Sequence, residues 1–208
     1  MIPRHQKILF AVLLAAALVM AGVLWHLRQR AHQRLLAGED SAPTKAPDVA
    51  PTERATLLVA NDADGSLLVQ ARSLPLPADP GARARVILGN LLDLYAAPDA
   101  AHPVSGGASG IAQVFLLPLQ RGKNGVSGDE MAVVNLTSNF AASHPSGLET
   151  ETLTVLSICG TLRANLPHVT EVRFLVDGQQ RPNLAGHADL TRIYLTADAA
   201  TSTGGNNQ

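Results

Sequence analysis

The chain has 208 residues, of which 46% are hydrophobic and 16% charged, with a formal net charge of −1. That composition excludes a disordered polymer, and the near-neutral charge excludes the basic footprint with which nucleic-acid binders neutralise phosphates. Aromatic residues make up only 3%, so a core has to come from Leu, Val, Ile and Ala; the one cysteine, Cys159, permits no internal disulfide and no multi-cysteine zinc site.

The first element in chain order is the run "ILFAVLLAAALVMAGVLW", Ile8 to Trp25. At ~1.5 Å per residue it spans about 27 Å, close to the ~30 Å hydrocarbon core of a bilayer. Arg4 and Lys7 precede it, and Trp25 and Arg28 stand where interfacial anchors belong. No small-x-small cleavage site followed by a polar start interrupts the run, which argues against a removed signal peptide. A transmembrane signal anchor is therefore expected over residues 8–27, behind a cytoplasmic N-terminus of residues 1–7. His26 and His32 read as interfacial. Basic residues before the run nearly balance Arg28, Arg30 and Arg34 after it, so charge alone leaves the orientation open.

Residues 28–55 read as a flexible linker, because Ala37 to Ala55 is rich in Ala, Pro, Thr and Asp and lacks apolar periodicity. The tail, residues 197–208, reads as disordered. Between them lie about 140 residues, enough for one sizeable core. Thr56 to Ala60 and Ser66 to Ala71 are strand-like, with "NDADG" (Asn61 to Gly65) as the hairpin turn. Asp79-Pro80 starts a helix on which Ile87, Leu88, Leu91, Leu92 and Tyr95 share one face. Ile111 to Leu117 and Met131 to Leu136 read as strands. Ser146 and Glu149 form a capping-box pattern ahead of a helix with Val155, Ile158, Cys159, Leu162 and Leu166 on one face, stopped by Pro167. A strand from Glu171 alternates Val172, Phe174 and Val176 with polar residues, and Arg192 to Thr196 closes the region. The expected class is α+β: one mixed or antiparallel sheet with two helices packed on one face, preceded by a transmembrane helix.

Five stretches carry a resemblance: "DPGARARVILGNLL", "VVNLTSNF", "SGLETETLTVLSICGTL", "VRFLVDGQ" and "GHADLTR". The pattern over residues 56–196 resembles the GerMN-type domain of sporulation and spore germination proteins. In that family a strand ending in a Val-Asp-Leu-Ser-like run precedes the second helix, and a later strand ends in Val-Asp-Gly. Asn135 stands here in the place of the aspartate and Thr137 in that of the serine. The resemblance implies a domain outside the cytoplasmic membrane, tethered by an N-terminal helix or lipid. It also implies action by protein contact, in the style of ring-building modules, since the family is not known for enzymes.

Candidate chemistry is sparse. Cys159 could be paired on paper with His144, His168 or His187, but it lies deep in an expected helix on the apolar side, where a small buried hydrophobe belongs. The seven histidines include no HExxH and no close i, i+4 pair for zinc. "SGGASG" lacks the Lys-Ser/Thr of a phosphate loop, Ser109 lacks flanking glycines at both −2 and +2, and "GKN" at Gly122 to Asn124 lacks the glycine five residues earlier. Glu149 and Glu151, at i and i+2, point to different helix faces and are accounted for by the helix N-terminus. The formal sequon Asn135-Leu136-Thr137 carries no weight in an expected strand. Asp177-Gly178 reads as a turn, with the glycine at positive φ. No catalytic, cofactor or metal residue is therefore expected. The expected role is a membrane-anchored extracytoplasmic interaction or scaffold module that contacts envelope proteins or further copies of itself, with a cell-wall glycan or small-ligand domain as the alternative.

Overall fold

The computed structural model describes residues 19–25, 51–119 and 128–201. Val19 to Trp25 is helical with exposed side chains, while the remainder of the expected anchor lies outside the described residues. Among the described residues no helix is long and apolar enough to cross a membrane. His26, His32, Gly122 to Asn124 and most of the expected linker also lie outside them. Residues 49–208 form one compact unit.

That unit runs β1 (Thr52–Asn61), β2 (Ser66–Pro75), α1 (Pro80–Tyr95), a 3₁₀ turn (Gly107–Gly110), β3 (Ile111–Pro118), β4 (Glu130–Leu136), α2 (Ser138–Ser143), α3 (Leu148–Asn165), β5 (Val169–Val176), β6 (Tyr194–Leu195) and α4 (Asp198–Thr201). β1 thus begins inside the segment expected to be linker, and α4 inside the expected disordered tail. α2 and the 3₁₀ turn are too short to leave a periodic signature. α1 starts as its sequence predicts: the Asp79 carboxylate accepts the Ala82 N–H at 2.7 Å, and Pro80 occupies the first turn.

The single expected sheet is in fact two. β1 and β2 form a separate antiparallel hairpin, and a second sheet has the order β3-β4-β5-β6, with β4 and β5 parallel and the outer pairs antiparallel. The reason lies at the other edge of β1. Its alternate N–H groups are taken by side chains: Thr56 donates to Asn165 Oδ1 at 2.9 Å, Leu58 to Thr161 Oγ1 at 2.9 Å, and Ala60 to the Tyr95 hydroxyl at 3.0 Å. A strand edge already satisfied this way has nothing left to offer another strand. Gly160 lets α3 come this close, since a Cβ there would lie 2.5 Å from Leu58 Cδ2.

α3 packs against β1 and β5 and is buried on more than one side. Besides the expected apolar face it buries Glu151, Thr154, Ser157 and Thr161, all with hydrogen-bond partners. Its N-cap is Gly147, and the expected Ser146–Glu149 box does not form. Glu151 instead reaches back to the Gly147 N–H at 3.2 Å.

Candidate functional site

Strand register settles which side chains share a face of the four-stranded sheet. Leu116, Ala132, Val172 and Tyr194 line up across it on the core side, as do Val114, Val134 and Phe174. The opposite face carries Leu117–Met131–Glu171–Leu195 in one row, Phe115–Val133–Arg173 in the next, and Gln113–Asn135–Leu175 in the third. Phe115 is 48% exposed, Leu117 45% and Leu195 47%, around the more shielded Val133. A sheet face left to solvent is ordinarily polar. This one is mostly apolar, with Glu171 and Arg173 as its charges.

A second cluster is internal. Asp62, just after β1, faces His102 Nδ1; His102 Nε2 lies 2.7 Å from Thr154 Oγ1; and His144 Nε2 reaches the same oxygen at 2.8 Å. The His144 Nδ1 sits 2.8 Å from the Pro145 carbonyl, which only accepts, so that nitrogen carries hydrogen. Burial lowers the His144 pKa, which favours the neutral ring. Carboxylate, imidazole and hydroxyl follow the order of a hydrolase triad. Thr154 is fully buried, however, and its hydroxyl donates to the Thr150 carbonyl at 3.1 Å, so its one hydrogen is shared between that carbonyl and the two imidazoles. The arrangement ties the hairpin tip, two loops and α3 together.

Glu151 is the third polar centre. Its buried carboxylate accepts N–H groups from Ala185 at 3.0 Å, His187 at 2.9 Å and Ala188 at 2.8 Å, and meets His187 Nδ1 at 3.0 Å. Burial alone would raise its pKa; the hydrogen bonds from Ala188, Ala185 and His187 overcome that and hold it at about 2. The segment around "GHADLTR" is therefore fastened to the start of α3. Sequence alone ties Glu151 only to the helix dipole, because its partners are backbone groups that no motif displays.

The residues weighed for chemistry separate cleanly. Cys159 is fully buried, and burial pushes its thiol pKa up, away from nucleophilic character. The imidazoles of His144 and His187 are engaged by Thr154 and Glu151 instead. His168 presents its main-chain carbonyl to the Glu130 N–H at 2.7 Å. Among the described residues no group of three His, Cys, Asp or Glu could hold a metal. Asp177-Gly178 is a tight hairpin turn, with φ of 48° and 74° and Val176 bonded both ways to Gln179. The Asn135 amide oxygen accepts the Gly178 N–H at 2.7 Å, and the Asp177 carboxylate accepts the Ser138 N–H at 3.1 Å. Position 135 thus needs an acceptor oxygen, which asparagine supplies as well as aspartate. A depression of about 420 Å³ lies where the 3₁₀ turn meets α2, lined by Ser109, Thr137, Asn139 and Ser143 among others.

The match to known families falls on this same framework. A family model described as "Germane: Sporulation and spore germination" matches residues 69–182, more than half of the chain. The chain belongs to the Germane family. The tandem GerMN domains of the sporulation protein GerM from Bacillus subtilis are similar at 15% identity and a TM-score of 0.43, over 71% of this chain and 48% of that one. The first GerMN domain of the same protein gives 16% identity and a TM-score of 0.35, over 67% of this chain and 93% of that one. The chain thus spans about half the length of the tandem structure. Among curated proteins no match is found. The Germane match begins within β2, so β1 and the start of the hairpin precede it.

Proposed function

We propose that this chain is a non-catalytic docking module of the bacterial cell envelope, anchored in the cytoplasmic membrane by residues 8–27, with residues 49–208 on the extracytoplasmic side. The observation that carries the reading is the outer face of the β3-β4-β5-β6 sheet, where Phe115, Leu117 and Leu195 stand half exposed around Met131, Val133 and Leu175. Exposed apolar side chains gathered on one sheet face mark a protein contact. Membership of a sporulation and germination family, and the apolar N-terminal run, support the placement at the membrane. The alternative, a glycan or small-ligand domain, draws on the depression beside α2. Its aromatic ring, Phe140, is buried and gives no stacking platform, so the sheet face is favoured.

The test is a photo-crosslinking residue placed at position 115 of the full chain in its native cells, with position 148, exposed at the start of α3, as control. The expected result is a discrete adduct with an envelope protein from position 115 and none from 148. Equal yields at both positions, or none at 115, overturn the assignment. Protease added outside the permeabilised outer layer should cut the module, and its protection until the inner membrane is lysed would reverse the orientation.

A further inference from the structure

We propose that the free edge of β2 is a strand-addition site that takes an extended peptide bearing a carboxylate. This is independent of the sheet face above, since β2 belongs to the other sheet.

The direction of every amide in the hairpin follows from the bonds at the far edge of β1. Thr56, Leu58 and Ala60 donate away from β2, to Asn165, Thr161 and Tyr95. Leu57 and Val59 therefore point toward β2 and form the hydrogen-bonded pairs with Gln70 and Leu68. In β2 it is then Val69, Ala71 and Ser73 whose N–H and C=O groups point outward. All three residues are exposed, in a run from Leu68 to Ser73 that is exposed throughout. No other strand among the described residues pairs with this edge. Its ten regular residues contain no bulge, and the one proline, Pro75, is last. Proteins usually blunt such edges with prolines, bulges or several charges. β2 carries a single charge, Arg72.

An array of outward amides and carbonyls spaced two residues apart is complementary to one kind of occupant, an extended polypeptide. Side chains choose which. On one face of the strand Leu68, Gln70 and Arg72 stand in line; on the other, Val69, which is 63% exposed, leads Ala71 and Ser73. The added strand should therefore present apolar residues beside Leu68 and Val69 and a carboxylate beside Arg72, an opposite-charge cross-strand pair. A second copy pairing through its own β2 supplies no such carboxylate, because Ser66–Pro75 contains no acidic residue. The occupant is accordingly a partner's strand that carries a carboxylate.

The test measures binding of a synthetic peptide of alternating Val and Thr with one Glu to the full chain, alongside the same peptide N-methylated at alternate amides and a third with Lys in place of Glu. Ala71→Pro removes an outward N–H while leaving the bonds to β1 intact, and Arg72→Glu reverses the charge. The Glu peptide should bind, N-methylation should abolish binding, and Ala71→Pro should weaken it about tenfold or more. Arg72→Glu should favour the Lys peptide over the Glu one. Thermal unfolding close to that of the parent chain confirms that both variants fold. Absence of binding, or binding unchanged by both variants, overturns the proposal. So does a dimer of the full chain that Ala71→Pro dissociates, which would assign the edge to a second copy.

Discussion

The Glu151 carboxylate, fully buried near the start of α3, accepts the Ala188 N–H at 2.8 Å, and through it a loop 37 residues away in sequence is fixed to the helix. A glutamine in its place keeps the size but puts an amide NH₂ against N–H donors that need an acceptor. Glu151→Gln should cost about 2–4 kcal/mol of stability. Urea unfolding checks the figure, and increased amide exchange should be confined first to Ala185 through Ala188.

The same group contributes to the acid sensitivity of the fold. Its folded pKa of about 2 lies below the ordinary glutamate value of 4.5, so its stabilisation is fully present above 4.5. It is lost progressively as pH falls from 4.5 toward 2. Midpoints measured over that range should decline in the parent chain and much less in Glu151→Gln.

Asn135 should tolerate aspartate better than alanine. Asn135→Asp retains an oxygen for the Gly178 N–H, whereas Asn135→Ala leaves that donor and the turn unsupported, at a cost of about 1–2 kcal/mol. Equal stability of the two variants, by thermal unfolding, would contradict the role assigned to the acceptor.

Cys159 should behave as packing. Native protein should resist a thiol reagent at neutral pH and react once denatured, because the thiol is fully buried and its ionisation disfavoured. Cys159→Ala should cost on the order of 1 kcal/mol and leave partner crosslinking at position 115 unchanged. Rapid labelling of folded protein would contradict this.

Much is legible in the sequence because it is local. Asp79-Pro80 caps α1, the alternation of Val172, Phe174 and Val176 makes β5, and Asp177-Gly178 turns the chain, each through neighbours within a few residues. Family membership is legible for the same reason, in short runs such as "VVNLTSNF" and "VRFLVDGQ". Only the tertiary structure decides that there are two sheets, since that depends on Asn165, Thr161 and Tyr95 reaching β1 from residues 35 to 109 positions away. It likewise decides that polar Glu151, Thr154 and Thr161 are interior residues. A hydropathy period counts them as solvent-facing, and their burial becomes favourable only where distant groups satisfy their hydrogen bonds. The apolar outer face of the sheet is hidden in the opposite way. Phe115 and Leu195 read as core in any one strand, and it is the burial of the opposite face, through Val114, Val134 and Phe174, that leaves them turned toward water.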